Sequence, residues 1–407
     1  MPAVPEFIRS NPRLAIFALV AVAASGFGQT FFIAIFGGAL RAEFNLSNSW
    51  YGAGYSAATL LSALVLLGAG TLIDRWPLRR VAMLGTLLLT AGCLTLAFAH
   101  SAWMLLPGFF LLRFAGQGFM THMGMTTAGR YFAENRGRVI ALAALGFPIA
   151  EALLPTTGSL IIQHQGWRSV WLLSVVVLII GILPALYWLA GNTGEHSEQS
   201  SEAPHHNNNH YTRAQVLRDR GFYCLLPAAL MTPFVVTAIL FHQGAIADER
   251  GWPLPTMAGA FVGYAAGHLL ALFFAGSMVD KLGAQRSLPV ALLPMLVALL
   301  LLACSSAWWV PYVYLTLIGI GQAGTGTAGS ALWPERYGTT HLGAIRSVSQ
   351  ASMVLSTAAS PLLVGLLLDR AVSVTGISLM FGGIVSLACA LTLAASLTPQ
   401  QIVIQRD

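Results

Sequence analysis

The sequence predicts an all-α polytopic membrane protein of twelve transmembrane helices, arranged as two six-helix pseudo-repeats. Three observations carry that expectation. First, the 407 residues are 56% hydrophobic and 9% charged, with a mean hydropathy of +0.71. Ordinary soluble domains carry roughly a quarter charged residues, so lipid is the solvent that fits this chain. Second, the apolar runs are long and lack period-2 alternation, and backbone groups in lipid must be paired internally, which leaves helices. Third, the charged stretch Gly70-Thr-Leu-Ile-Asp74-Arg75-Trp-Pro-Leu-Arg79-Arg80 lies between two apolar runs and returns as Gly276-Ser-Met-Val-Asp280-Lys281-Leu-Gly283-Ala-Gln-Arg286. Gly70, Asp74 and Arg80 find counterparts in Gly276, Asp280 and Arg286 at a constant offset of 206 residues. Tyr131, Gly137 and Pro155 repeat as Tyr337, Gly343 and Pro361 at the same offset.

Bounded by charges and turn residues, the spans read as 14–40, 50–73, 79–99, 102–128, 138–162 and 168–190, then 221–246, 256–279, 287–304, 308–333, 343–368 and 374–397. Arg9 and Arg13 before an apolar run resemble the start of a signal peptide. The run continues through Phe27, Phe31, Phe32 and Phe36 to Leu40, too long for a signal core, and reads as an uncleaved first span. Residues 191–209 are rich in Ser, Glu, His and Asn and form a solvated linker. Tyr211–Arg220 reads as a short polar helix at the membrane surface. The chain therefore divides into an N-terminal six-helix bundle (1–190), a linker with its surface helix (191–220) and a C-terminal bundle (221–407).

The basic residues set the orientation. With the N-terminus inside, the inner loops hold Arg75, Arg79, Arg80, Arg130, Arg136, Arg138, Lys281, Arg286 and Arg336, among others. The outer side holds Arg41, Arg168, Arg250 and Arg370. This bias places both termini in the cytoplasm. Arginines at the ends of apolar runs also argue against nucleic acid as a partner, despite a net charge of +6. Cys93, Cys224, Cys304 and Cys389 lie inside apolar runs and read as small hydrophobes rather than a disulfide framework. His205, His206 and His210 have no acid or cysteine framing them and read as linker, so no metal is expected. No P-loop and no nucleophile–base constellation occurs, so neither ATP drive, nor a cofactor, nor an enzyme is indicated.

The stretch from Gly70 to Arg80 resembles the major facilitator superfamily signature G-x-x-x-D-R-x-G-R-R, with Pro77 where the family has a glycine and the closing arginines one place later. In span 4, Arg113-Phe-Ala-Gly116-Gln117-Gly118 is similar to the superfamily's R-x-x-Q-G pattern, with glutamine and glycine exchanged. Within the superfamily, Gly26-x-Gly28-Gln29-x-Phe31-Phe32, Gly166-Trp167-Arg168 and Gly343-x-x-Arg346 resemble the bacterial branch near monocarboxylate and oxalate–formate carriers. The chain departs from that branch in having no arginine in spans 2 and 8. It also departs from drug antiporters, whose G-P-x-x-G-G is replaced by Gly146-Phe-Pro148-Ile-Ala-Glu151. The resemblance implies a secondary transporter working by alternating access. It implies further that Gly70, Asp74, Arg75, Arg79 and Arg80, with Asp280, Lys281 and Arg286 as a weaker second copy, latch neighbouring helices in the outward-facing state. Arg346 is either part of that gate or a loop anchor.

Arg113 and Glu151 are the strongly charged residues within spans, where each costs about 2.5–3.5 kcal/mol on insertion scales. They lie at similar depth on consecutive antiparallel helices, so an ion pair opened by substrate or proton is expected, with a permanent structural bridge as the alternative. Arg113, Gln117 and Thr121 share a face at i, i+4 and i+8, and the family's fourth span lines the central cavity. A guanidinium fork suits a carboxylate, although Arg113 held by backbone carbonyls would serve structure alone. Gln29, Tyr264, Gln322 and Trp333 are expected to complete a substrate pocket, with Glu151, His242 and His268 as proton-coupling candidates. His122, nine residues from Arg113, reads as a packing residue. The expectation is a monomeric, proton-coupled carrier of a small organic anion such as a monocarboxylate in the cytoplasmic membrane. A proton-antiport exporter of drugs or amphipathic metabolites, and a non-transporting sensor, are the alternatives.

Overall fold

The computed structural model describes residues 11–69, 72–132, 136–191, 211–338 and 341–397, and among these there is no strand. Twelve long helical elements follow one another. Span 1 is Pro12–Phe44, span 2 Asn48–Ala69 and span 3 Leu78–Ala97. Span 4 runs through the consecutive segments Leu105–Leu112, Arg113–Met120 and Thr121–Arg130. Span 5 is Arg138–Gln165 and span 6 Trp167–Ala190. Span 7 is Arg220–Phe241, extended by the short helix Gln243–Arg250. Leu254–Leu282, Ala284–Cys304, Val310–Tyr337, Leu342–Asp369 and Val374–Leu397 are spans 8 to 12. Among the described residues, nine helices are long and apolar enough to cross a membrane. Spans 2, 4 and 10 are formed as helices outside that set; the last two carry Arg113, Gln117, Gln322 and Thr325.

Spans 1, 3 and 6 pack around span 4 and its neighbours, while spans 8 and 9 pack on span 10, span 12 packs on span 9, and span 7 joins spans 11 and 12. Between the two groups, span 2 lies along span 11 and span 5 along span 8. These seams are close because glycines line them. A Cβ on Gly52 would fall on the Pro361 carbonyl, and one on Gly365 would fall on the Asn48 carbonyl. Span 2 begins at a cap supplied from the other group: the Asp369 carboxylate accepts from the backbone N–H of Asn48 (3.0 Å) and Ser49 (2.8 Å) and from Asn48 Nδ2 (3.1 Å). A helix N-terminus favours an anion there, both through its free N–H groups and through its dipole.

The side-chain contacts across the seam's ends have one polarity. Asp369 with Asn48, Thr156 Oγ1 with the Ala258 carbonyl (3.2 Å), and Gly38 beside Gly244 all lie at the face remote from the linker, called here the distal face. At the linker face, two basic side chains have contacts within their own half. Arg79 Nε donates to the Tyr187 carbonyl (3.3 Å), and its guanidinium lies over the Tyr187 ring. Arg346 Nη2 donates to the Ser330 carbonyl at 2.7 Å. Asp280, Lys281, Arg286, Arg75 and Arg80 are exposed, and Asp74 lies on the short helix Leu72–Arg75. Gly70, with linker residues 192–210 and their histidines, lies outside the described residues.

The two motif copies turn by different means. Gly283 turns the chain at φ +78°, a left-handed conformation that suits glycine, whereas Pro77 makes its turn at φ −55° and ψ 136°. Glu335 then accepts from the Ala284 N–H (2.8 Å), and Arg336 binds Gln285 and Asp219, fastening the linker's end to spans 9 and 10. The polar segment after the linker shortens to the helix Arg213–Val216, closed by a Thr212–Gln215 capping box. Burial pushes the Asp219 carboxyl up, but hydrogen bonds from Tyr337, Gly221 and Arg336 together hold it below the usual range. The four cysteines are free; Cys93 is buried and Cys304 exposed.

Removing the distal cap should loosen that face. In a background lacking the four native cysteines, Asp369→Ala is expected to raise maleimide labelling of Gly244→Cys about five-fold, the equivalent of ~1 kcal/mol for a lost helix cap. An unchanged labelling rate would show that the cap does not hold the seam.

Candidate functional site

Two irregular stretches meet at mid-membrane and build the first cluster. Span 1 tightens into a 3₁₀ turn at Gly26–Gly28, and Gln29 is then extended (φ −83°, ψ 155°) before the helix resumes at Thr30. Span 4 is π-helical over Arg113–Met120, the wider turn often found where a helix presents functional groups. The two stretches touch backbone to backbone. A Cβ on Gly28 would land on the Leu112 carbonyl, and one on Gly116 would land on the Gly28 backbone. The break in span 1 turns a carbonyl and a hydroxyl toward span 4, as unwound backbone does when it lines a polar site inside a membrane protein.

Arg113 fills that opening. It is 1% exposed, and Nη1 donates to the Gly28 carbonyl (3.3 Å) and to Thr30 Oγ1 (3.4 Å). Both bonds are long, so the guanidinium is held without being saturated. Its carbon lies 5.1 Å from the centre of the Tyr55 ring, and the Tyr55 hydroxyl is paired with Thr30 Oγ1 at 2.8 Å. Nε and Nη2 are buried without a hydrogen-bond partner. These two nitrogens form one edge of the planar fork, the geometry that accepts a carboxylate through two parallel bonds. Among the described residues no carboxylate stands within ion-pair distance of Arg113.

The expected Arg113–Glu151 pair is therefore replaced. Glu151, 1% exposed, instead meets His268 of span 8, with Nδ1 at 2.9 Å from Oε2 and 3.1 Å from Oε1. Equal depth on neighbouring helices does not make two side chains face each other. Spans 5 and 8 pack together and aim Glu151 across their seam, whereas the break in span 1 draws Arg113 toward Gly28. The clusters are nonetheless close, because Ala150, beside Glu151, packs where Gly26 lacks a side chain. Tyr264 stands one turn from His268, ring edge to ring face, with the Gln322 side chain beside its hydroxyl. Glu151, His268, Tyr264 and Gln322 thus form one buried polar group drawn from spans 5, 8 and 10.

The remaining expected residues lie elsewhere. Gln29 sits at the break of span 1, partly exposed, next to the residues that hold Arg113. Gln117, four residues on from Arg113 in the same π-helical segment, is also partly exposed. His242 Nε2 donates to the Pro361 carbonyl at 2.7 Å, which fixes its tautomer and ties span 7 to span 11. Trp333 lies roughly 16 Å beyond Gln322 along span 10 at 1.5 Å per residue. Its indole donates to Ser349 Oγ (3.1 Å), and its ring packs with Phe222 and Tyr337. It thus belongs to an aromatic cluster near the linker face. Thr30, Tyr51, Tyr55 and Phe241 were not singled out from the sequence. The i, i+4 spacing of two tyrosines in span 2 was the available signal, but it reads equally well as packing.

Two bundles of helices meeting across a polar, buried midplane define a polytopic membrane protein of the two-fold transporter type. The Major Facilitator Superfamily family model matches residues 18–262 and 225–403. The chain belongs to the major facilitator superfamily. Among its relatives, the gentisate transporter of Corynebacterium glutamicum is 26% identical over 84% of this chain and 78% of its own length. Human monocarboxylate transporter 6 is 29% identical over 34% of this chain and 28% of that protein. The gallate transporter of Pseudomonas putida is 29% identical over 37% of this chain and 32% of its own length. In fold, the chain matches the nucleoside transporter NupG with a TM-score of 0.71, covering 96% of this chain and 99% of that one at 10% identity. A bacterial homologue of the human lysosomal transporter Spinster, in an inward-facing and occupied conformation, matches with a TM-score of 0.69 over 97% of both chains at 14% identity.

The contact between spans 1 and 4 leaves no space for a side chain at Gly28. Gly28→Val should destabilise the protein by about 1–3 kcal/mol, as overpacked cores do. It should appear as a lowered melting temperature in detergent, whereas Gly38→Ala, with nothing within 4 Å of its Cβ position, should melt normally.

Proposed function

We propose that this protein carries a small organic anion bearing a carboxylate across the cytoplasmic membrane, coupled to protons and by alternating access. The observation that carries the reading is the unpartnered Nε–Nη2 edge of Arg113, a buried cation with its bidentate face open. A charge left without a counter-ion at mid-membrane is costly, and a substrate carboxylate supplies what the fold withholds. The relatives named for gentisate, gallate and monocarboxylate transport support the same ligand chemistry. Gln29 borders the site, and Tyr264 and Gln322 adjoin the Glu151–His268 pair.

That pair joins the two halves of the molecule, which suits it to proton coupling. A proton taken up by Glu151 removes the carboxylate that holds His268, and the seam between spans 5 and 8 loses its one buried ionisable contact among the described residues. With both termini in the cytoplasm, as the arginine distribution favours, the closed distal face is the outer one. The protein works as a monomer, since each half supplies one member of every seam contact. Export of an amphipathic compound is the second reading. It draws on a 29% identical stretch of the methylenomycin A resistance protein of Bacillus subtilis, covering 37% of this chain, and it gives the open fork of Arg113 no task.

Counterflow in proteoliposomes separates the readings, since it needs neither a gradient nor a fixed orientation. Exchange of labelled carboxylates is expected. Arg113→Gln should lower it at least about 30-fold, because truncating one partner of a buried charge pair costs roughly 2–5 kcal/mol. Absence of exchange for every carboxylate tested would overturn the proposal. Glu151→Gln should retain counterflow and lose accumulation driven by an imposed pH difference; accumulation that survives the substitution would remove Glu151 from the coupling.

A further inference from the structure

An arginine can meet a carboxylate through either of two nitrogen pairs, and the surroundings of Arg113 leave it one. The end-on pair is Nη1 with Nη2; the side-on pair is Nε with Nη2. Nη1 carries two hydrogens, and both are directed at protein oxygens, the Gly28 carbonyl (3.3 Å) and Thr30 Oγ1 (3.4 Å). The end-on pair is therefore closed, while Nε and Nη2 are buried with no partner. Thr30 opens the helix that resumes after the extended Gln29, and it is buried. Its Oγ1 lies 2.8 Å from the Tyr55 hydroxyl. A hydroxyl has two lone pairs and one hydrogen, so Thr30 accepts from Nη1 and still shares a hydrogen with Tyr55.

Tyr55 acts on the cation twice, through its hydroxyl and through its ring. The guanidinium carbon lies 5.1 Å from the ring centre, so an aromatic face holds one side of the cation without using any of its N–H groups. The ring is fixed in turn. Phe241 of the second half lies 4.3 Å from it at 36° between planes, and 4.6 Å from Tyr51 at 16°. Phe109 meets Tyr55 edge-on at 5.8 Å. Thr30 and Tyr55 come from spans 1 and 2, so two neighbouring helices set the orientation of an arginine on span 4. Neither hydroxyl bonds the open edge.

We infer that Thr30 and Tyr55 are positioning residues: their paired hydroxyls hold Nη1 so that Arg113 takes the substrate carboxylate side-on, through Nε and Nη2. This rests on the carboxylate reading of Arg113 given above. Both residues are neutral, so they contribute orientation rather than charge. Without the Thr30 oxygen, Nη1 keeps the Gly28 carbonyl alone, and the guanidinium is free to turn Nη2 toward that carbonyl and lose its open edge. Thr30→Val removes the oxygen at nearly constant volume, whereas Thr30→Ser keeps it.

The test is counterflow through the reconstituted full-length protein, using labelled benzoate or pyruvate, whichever the unaltered protein exchanges faster. Thr30→Val should raise the half-saturation concentration about ten-fold, the size of one lost hydrogen bond to a charged group. The maximal rate should stay within about two-fold, as it does when binding alone is weakened. Thr30→Ser should behave as the unaltered protein. Tyr55→Phe keeps the ring and loses the paired hydroxyl, and should raise the half-saturation concentration about three-fold; it carries the same test if Thr30→Val melts early in detergent. In an Arg113→Lys background, which has the charge without the fork, Thr30→Val should have almost no effect, whereas a packing role would act equally in both backgrounds. Equal effects there, a fall in maximal rate alone, or failure of Thr30→Ser to restore affinity would overturn the positioning role. Exchange that needs Arg113 but is indifferent to Thr30→Val and Tyr55→Phe would overturn this inference and leave the carboxylate reading standing. Exchange of no carboxylate at all by the unaltered protein would overturn both.

Discussion

A guanidinium in the middle of a bilayer has to be satisfied by the protein or by something the protein binds, and in this chain it is half satisfied. Insertion scales put its cost at about 2.5–3.5 kcal/mol. Against that stand two long hydrogen bonds from one nitrogen and the face of one tyrosine ring, worth ~0.5–2 kcal/mol as a cation–π contact. The other two nitrogens face no acceptor. The helices around Arg113 are arranged to keep this condition. Span 1 breaks at Gln29, so that a carbonyl and a hydroxyl reach the cation. Span 4 widens into a π-turn, and Gly28 and Gly116 let the two backbones touch. A regular helix at either place would close the gap.

The same constraint explains why the acid is elsewhere. Had Glu151 faced Arg113, each would have neutralised the other permanently, and a carboxylate from outside would have had to break a buried ion pair to enter. Removing one partner from such a pair typically costs several kcal/mol. Placing Glu151 against His268 keeps the two charged groups apart yet adjacent, since Ala150 packs on Gly26 close to the break that holds Arg113. One cluster has an open cation within a single half of the molecule. The other is a titratable contact between the halves. The packing of span 1 lies between the two clusters.

Much of this architecture was legible in the sequence, and the illegible part has a common cause. The twelve helices, the repeat and the polar linker follow from apolar run length and a constant offset, which are properties of composition along the chain. Arg113 and Glu151 stand out because charge within a lipid-spanning run is rare. The pairing between them was misjudged because depth can be counted from residue numbers, whereas facing depends on where a helix breaks. Gly26-Phe-Gly28-Gln29 shows two glycines, but nothing in those letters tells a broken helix from close packing. Likewise Asp369 reads as one more charge at a helix end. Its role appears only when span 2 of the other half arrives to be capped.

The pseudo-repeat sharpens that distinction. Related helices occupy related places, yet the functional contacts are not duplicated. Pro361 corresponds to Pro155, but His242 binds only the Pro361 carbonyl; Gly283 and Pro77 make equivalent turns with opposite φ. The halves thus diverge both at mid-membrane and in the φ of their equivalent turns. Here the first half supplies Arg113, Glu151 and two tyrosines, and the second supplies Phe241, which stacks on both tyrosines, and the histidine that meets Glu151. Each half is incomplete in the respect that the other makes good. The cap at the distal face and the stacking of Phe241 on two tyrosines are thus separate contacts between the same two halves.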